Sequence, residues 1–354
     1  MAPDLRPDLD AVLALTGPVW PALSGARLMI TGGTGFIGKW LLESLRHANR
    51  TLGTGITATI LTRNPEGFRA AQPHLGEDPA FRFVAGDVAH LPPMPGGPFT
   101  LAIHGATEAS AHLNVNDPLR MFDTIVDGTR AVLDWAVAQD VPRMLFLSSG
   151  GVYGPQQPDL ERVPESWRGG FDCTDHGAAY GQGKRAAEAL CAIFARQRGL
   201  QVVIARIFAL LGPHLPLDVH FAAGNFIRDA MKGGPVIVQG DGTPFRSYLY
   251  ASDLAVWLLH LLVRGESLAP VNVGSDQGIA IADLARKVAD LLGPCACEVR
   301  GQPKPGVPPA RYVCATDRAR DQYGLRRTVS LEEAILRTAR WNGWDEGRSH
   351  GQGH

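Results

Sequence analysis

The sequence predicts an α/β fold, a doubly wound parallel sheet joined to a smaller C-terminal α/β lobe. Three observations predict it. Strand-like apolar runs alternate with helical patterns from Arg27 to about Phe208. A glycine-rich turn, "MITGGTGFIGKW" at residues 29 to 40, follows the first of those runs. Beyond Gly212 the alternation loosens into turn-rich stretches such as "LGPHLPLD" and "GQPKPGVPP".

Taken in order, residues 1–24 form a leading arm, and residues 25–211 form the sheet-bearing domain. Ala26 to Ile30 reads as a short buried strand, and Trp40, Leu41, Leu42 and Leu45 then recur at helical spacing. The intervening Gly32, Gly35 and Gly38 are spaced G-x-x-G-x-x-G, which makes the segment strand, turn and helix. A helix starting there aims unpaired N–H groups and a partial positive charge at whatever lies above it, which suits a dinucleotide pyrophosphate. The glycines let phosphates approach and let the helix pack on the strand, as in Rossmann-type folds.

The later strand-like runs are "ITATILT", "FRFVAGD", "LAIHGA", "RMLFLSS" and "QVVIARIF". Their binding groups are expected at the strands' C-terminal ends. Residues 212–343 are expected to form mainly a substrate-binding lobe, with helices near 224–232, 252–264, 280–292 and 331–340. Residues 344–354, ending "GRSHGQGH", read as a flexible tail.

Composition narrows the classes of function. A chain of 354 residues, 45% hydrophobic and 19% charged, can bury a substantial core. Thirty-four basic and 35 acidic side chains give a net charge of -1, so no broad field draws nucleic acid or an anionic membrane. The opening "MAPDLRPDLD" lacks the basic start and apolar stretch of a signal peptide, and no run reaches a membrane span. Five cysteines, an odd number, suit reduced thiols in a cytoplasmic protein. Cys295 and Cys297 make no convincing metal site, and no metal is expected.

The second element that carries chemistry is "AAYGQGKRAAE", with Tyr180 and Lys184 in Y-x-x-x-K spacing on one helix face. A phenol titrates near pH ~10 and is a poor base at neutral pH unless positive charge favours its anion. Lys184 can supply that charge. "FLSSGGVYG", residues 146 to 154, adds a hydroxyl at the end of a strand.

With these motifs the chain resembles the extended short-chain dehydrogenase/reductases, and in particular the nucleotide-sugar epimerase/dehydratase family. The resemblance runs from Arg27 to about Trp341, through TGGTGFIG, GDV, SSxxVYG, YxxxK, "RIFALLGP", "GNFIRDAMKGGPVIVQGDGTPFRSYLYASDLA" and "VNVGS". It implies catalytic roles for Ser149, with Ser148 as the neighbouring alternative, for Tyr180 as acid/base, and for Lys184. Lys184 would lower the tyrosine's pKa and bind the nicotinamide ribose. Tyr153 would be structural or substrate-lining. The cofactor site would comprise Gly32, Thr34, Gly35, Phe36, Ile37 and Gly38 of the turn, Asp87 and Val88 at the adenine, and Ala106 along the dinucleotide. Asn225 and Arg246 fall where this family contacts the diphosphate and nucleotide of a nucleotide-diphosphate sugar. A homodimer through a helix bundle is also implied.

Departures from the pattern bear on the reaction. In the 4,6-dehydratases that resemble this chain the catalytic Thr is followed by an acidic pair, and the related decarboxylases retain a glutamate there; this chain has Gly150 and Gly151. Elimination needs a base and an acid, and glycine is neither. Glu108, His112, Asp175 or His176 could enter from other loops. A C4 epimerase needs only Ser149, Tyr180, Lys184 and the nicotinamide, and is the simplest expectation. A reductase of a 4-keto sugar uses the same residues for half of that cycle. A non-catalytic dinucleotide-binding sensor is the reading from another class, against which the retained Ser149, Tyr180 and Lys184 argue. After the second strand "ILTRNPEG" offers Arg63 where NAD-binding relatives usually carry an acid, which favours NADP over NAD and tilts towards a reductase. Ala209, in place of a usual Asn, and Lys304, near a frequent substrate-binding arginine, leave the nucleotide's identity open.

Overall fold

The computed structural model describes residues 4–107, 111–219 and 221–345, the side chains of 111–113 apart. Seven strands, β1 (Arg27–Thr31), β2 (Thr57–Thr62), β3 (Phe81–Ala85), β4 (Leu101–His104), β5 (Arg143–Ser149), β6 (Gln201–Ile207) and β7 (Val271–Val273), form one sheet. Their order is β7-β6-β5-β4-β1-β2-β3, and every pairing is parallel. β5 and β6 lie inside the sheet and are buried along nearly their whole length, which is why they read as unbroken apolar runs and not as alternating ones. The chain builds outward from β1 through β2 and β3, then crosses to β4 on the other side of β1. The strand order therefore reverses between β1 and β4, and the crevice above this point is where ligands of such sheets sit.

Helices cover both faces. α2 (Phe36–Leu52) follows β1 and buries Trp40, Leu41, Leu42, Leu45 and Ala48; Gly53 ends it in the left-handed conformation, with its N–H on the Asn49 carbonyl at 3.1 Å. α3 (Pro118–Ala138) starts on Asp117, whose side chain accepts the Arg120 N–H. α4 (Ala179–Arg198) carries the Y-x-x-x-K spacing, ends on left-handed Gly199, and packs on α3.

Residues 6–15 form α1, a helix docked on the domain, and Val12, Trp20 and Leu23 of the leading segment are buried in the main core. Asp8 at its start accepts from the Tyr250 hydroxyl at 2.6 Å and pairs with Arg337, so the leading segment is tied to the end of the chain.

Beyond residue 212 the chain divides its elements between two cores. α5 (Ala222–Met231), α7 (Ile281–Leu292) and α8 (Leu331–Trp341) enclose a core of their own with Leu211, Val236, Val238 and Tyr250. α6 (Ala251–Arg264) and β7 return to the main domain, α6 burying nearly every residue from Ala251 to Leu262. The smaller lobe is thus held by a helix and a strand that belong to the large one. The four expected helices lie at α5, α6, α7 and α8, within two residues of the ends read from the sequence. β7 was legible only as the "VNVGS" motif and not as a strand.

Candidate active site

Two cavities open above the β1/β4 crossover and share the glycine turn. One, of about 480 Å³, is lined by Gly32, Thr34, Gly35, Arg63, Asp87, Val88 and Ala106. The other, of about 760 Å³, is lined by Gly35, Phe36, Ile37, Gly38, Ser149, Tyr180, Lys184 and Arg246. The structure therefore brings all the expected cofactor residues to one continuous trough. Asn225 does not line either cavity; its side-chain oxygen accepts from Arg228 at 3.1 Å.

The three glycines of the turn have different reasons to lack side chains. At Gly32, where φ is +76°, a Cβ would stand 2.6 Å from the backbone carbon of Gly105, so the turn presses against the loop after β4. At Gly38 a Cβ would meet the Gly32 carbonyl oxygen at 2.4 Å, which is the contact of helix on strand. At Gly35 the nearest protein atom to a Cβ is the Gly32 oxygen, at an ordinary 3.4 Å. Nothing within the protein requires a glycine there. The bare face of Gly35, the uncapped start of α2, and the buried Thr107 hydroxyl, which has no partner among the described residues and lines both cavities, all fit an elongated phosphate-bearing ligand.

His104, at the end of β4, holds the loop that meets Gly32. The Thr31 hydroxyl accepts the Gly105 and Ala106 N–H groups at 3.2 and 3.1 Å, which occupies both its lone pairs, so its hydrogen goes to His104 Nδ1 at 2.7 Å. Nε2 then carries the ring hydrogen and donates to Thr129, 3.0 Å away. Burial, with the Lys184 charge, keeps the ring neutral and pushes its pKa down to about 3.

The adjacent serines at the end of β5 point different ways, as successive residues of a strand must. Ser148 donates to Glu188 at 2.6 Å and joins a buried network in which Arg206 pairs with Glu188 and the Tyr153 hydroxyl donates to Asn272. Ser149 lines the cavity and its oxygen accepts the Gly151 N–H at 3.0 Å, with the Tyr180 ring beside it. Both serines border the cavity; the Ser148 hydroxyl is committed to Glu188 and the Tyr153 hydroxyl to Asn272.

Lys184 is buried beneath the same cavity; its Nζ donates to the Leu147 carbonyl at 2.9 Å and lies 5.0 Å from the Phe146 ring centre. Burial pushes its pKa down to about 8, with Glu188 opposing. The expectation that Lys184 depresses Tyr180 meets a different balance. Burial raises Tyr180, and the group that lowers it is Ser149. The physical reason is that the ammonium is engaged by the Leu147 carbonyl and balanced by Glu188 on its own helix.

Several site residues carry no signal in the sequence. Asn114 accepts the Tyr180 N–H at 3.0 Å and fixes the start of α4. Tyr312, in the short strand Arg311–Tyr312, lines the larger cavity and packs on Phe208 with ring centres 4.6 Å apart. A Cβ on Gly150 would strike the Phe208 ring at 2.6 Å, and one on Gly151 would stand 3.2 Å from Tyr180. Aromatic rings thus fill the space that acidic side chains would need. Asp175 and His176 are exposed, and Asp175 caps a turn of helix through the Gly177 N–H. Glu108 and the side chain of His112 lie outside the described residues. Among the described residues no group of His, Cys, Asp and Glu is arranged to hold a metal ion, and no helix is long and apolar enough to cross a membrane.

Comparison with known proteins places this trough in context. The model of the NAD-dependent epimerase/dehydratase family matches residues 28–274. A UDP-glucuronic acid decarboxylase of Arabidopsis thaliana is 29% identical over 316 residues, 88% of either chain. A UDP-glucose 4-epimerase from Thermus thermophilus, solved with NAD, superposes with a TM-score of 0.73 at 25% identity, covering 90% of this chain and 99% of that one. A dTDP-glucose 4,6-dehydratase from Streptomyces venezuelae shares the fold, with a TM-score of 0.76 at 24% identity over 91% of this chain and 98% of the other. The chain belongs to the NAD-dependent epimerase/dehydratase family.

Proposed function

We propose that this family member moves a hydride at a carbinol carbon of a nucleotide-diphosphate sugar with a nicotinamide dinucleotide, most simply as a C4 epimerase. The observation that carries the reading is the lining of the larger cavity. Among the described residues it holds Ser149, Tyr180, Lys184, Tyr312 and Arg246, and no carboxylate or imidazole. Eliminating water would require a base for a carbon-bound proton and an acid for the leaving hydroxyl.

In this reading a nicotinamide held by the glycine turn and Lys184 would supply hydride exchange at the carbinol carbon. Tyr180 takes the hydroxyl proton as the carbonyl forms and gives it back when the carbonyl is reduced. Ser149 holds the same oxygen and steadies Tyr180. Lys184, buried below, meets the ribose and contributes positive charge to the tyrosine once its ammonium has a second partner. Arg246 lines the same cavity, its guanidinium 5.8 Å from the Tyr312 ring centre, and would hold the substrate's diphosphate.

Arg63 supports a second reading. It lines the adenosine end of the trough in place of an acid, which favours a 2′-phosphate and hence an NADPH-dependent 4-keto reductase. One experiment separates the two. The purified protein is incubated with UDP-, dTDP-, GDP- and CDP-sugars, including 4-keto forms, with and without NADPH. Epimer formation without net cofactor consumption is expected; stoichiometric NADPH loss identifies the reductase, and failure to convert any of the sugars overturns both.

A further inference from the structure

We propose that the leading helix α1, which lies ahead of the residues that the family model matches, braces the cofactor turn, with Leu9 as its positioning residue. The inference rests on the cofactor site of the reading above and not on its reaction. Asp8, Leu9 and Val12 form the buried face of α1. Along that face Val12 enters the main core, whereas Leu9 joins a small separate cluster with Trp40 of α2 and Ala251 of α6. Leu5 and Phe36 pack against this cluster. Phe36 and Trp40, four residues apart, share one face of α2. Phe36 is also the first residue of that helix, directly after the glycine turn, and it lines the larger cavity beside Gly35 and Gly38. A residue that borders the cofactor trough therefore rests on apolar surface that Leu9 supplies.

Polar contacts fix α1 where the two lobes meet. The buried Asp8 carboxylate accepts the Tyr250 hydroxyl at 2.6 Å and pairs with Arg337 of α8, whose guanidinium lies 5.6 Å from the Tyr250 ring centre. Tyr250 leads into α6 and sets its ring edge-on to Trp40, with centres 6.1 Å apart. Trp40 in turn donates from its indole to the Pro213 carbonyl at 2.9 Å, in the segment that enters the smaller lobe. Asp10 adds a bond to His47, further along α2, at 2.7 Å. α1 is thus bonded to α2, to the start of α6 and to α8, so its seat fixes where Phe36 stands relative to both lobes. A buried carboxylate costs free energy unless it is paired, and a helix that only covered apolar surface would have no use for one. The Asp8 contacts set the register of α1, which places Leu9 in the cluster that carries Phe36.

The test compares two residues of the same helix by cofactor affinity, measured on the full chain by equilibrium dialysis with NAD and NADP, alongside the melting temperature. Leu9→Ala opens the cluster under Phe36 and is expected to weaken binding by roughly 3- to 30-fold. Val12→Ala removes a side chain from the main core and is expected to lower the melting temperature while leaving affinity within about twofold. Leu9→Met keeps the volume and should restore affinity. In a Phe36→Ala background, Leu9→Ala should cost no further affinity, because the side chain it supports is gone. Should Leu9→Ala fail to fold, the milder Leu9→Val carries the same comparison. Wild-type affinity in the Leu9 variant, an equal loss in Val12→Ala, or full additivity with Phe36→Ala overturns the brace. Binding of neither dinucleotide by the wild type overturns the cofactor site and the brace with it. Dinucleotide binding that is weakened at Leu9 alone upholds the brace, whichever sugar is converted.

Discussion

A Cβ placed on Gly151 would stand 3.2 Å from Cε1 of Tyr180 and 3.3 Å from the Ser149 hydroxyl. The glycine therefore keeps open the space between the Tyr180 ring and the Ser149 hydroxyl. Gly151→Glu is expected to leave the fold intact and to lower turnover by about 10-fold or more, because Tyr180 must swing away. It should not create dehydration activity. Product analysis by mass spectrometry checks both, and appearance of a dehydrated sugar would contradict the geometry.

Gly35 tests the cofactor trough without testing the fold. Since the protein offers no obstacle to a side chain there, Gly35→Val should keep the wild-type melting temperature within a few degrees while abolishing dinucleotide binding. Equilibrium dialysis with NAD and NADP reads the outcome, and unchanged affinity removes the pyrophosphate from this turn.

Tyr180→Phe is expected to preserve folding and cofactor binding and to lower kcat by roughly 10² to 10⁴, the usual cost of losing an acid/base group. Ser149→Ala should be milder. Lys184→Ala should lower kcat and also weaken cofactor binding, since one ammonium serves both. Steady-state kinetics with circular dichroism checks the set, and near-normal turnover by Tyr180→Phe would move the acid/base elsewhere.

Arg63→Asp should shift the ratio of NADP to NAD affinity towards NAD by roughly 10- to 100-fold, the worth of a charged hydrogen bond. Fluorescence titration with both cofactors measures it. A wild type that already prefers NAD by a wide margin removes Arg63 from cofactor choice.

His104 and His214 are both buried and neutral, their pKa values pushed down to about 3 by burial, with Lys184 acting on the first and Lys39 and His74 on the second. An unfolded histidine titrates near 6.5, so their stabilising contribution is complete above about pH 6.5. It falls as pH drops from there towards 3, each ring removing up to about 1.4 kcal/mol per pH unit. Urea midpoints should therefore decline between pH 7 and pH 5. His214→Asn should roughly halve the slope, asparagine being suited to the positive φ of 71° at this position. An undiminished slope in that variant would assign the acid sensitivity to other groups.

The sequence by itself determined the sheet and half of the site. Apolar runs mark β1, β2 and β4 to β6 because parallel strands inside the sheet are buried on both faces, alternation marks the edge strand β3, and the glycine turn and Y-x-x-x-K spacing are local patterns whose geometry needs only one strand or one helix. What the tertiary structure decided is what depends on packing across the chain. The alternation along β5 spends the Ser148 hydroxyl on Glu188 and gives the Ser149 oxygen to the Gly151 N–H, a difference between identical neighbours that no local pattern expresses. Phe208 stands where a side chain at Gly150 would go and packs on Tyr312, more than a hundred residues away, and Asn225 accepts from Arg228 and does not line the cavity it was expected to line. The burial and partners of Lys184 make Ser149, and not Lys184, the group that lowers Tyr180. Desolvation and long-range contact set these properties, and both exist only once the two lobes are folded together.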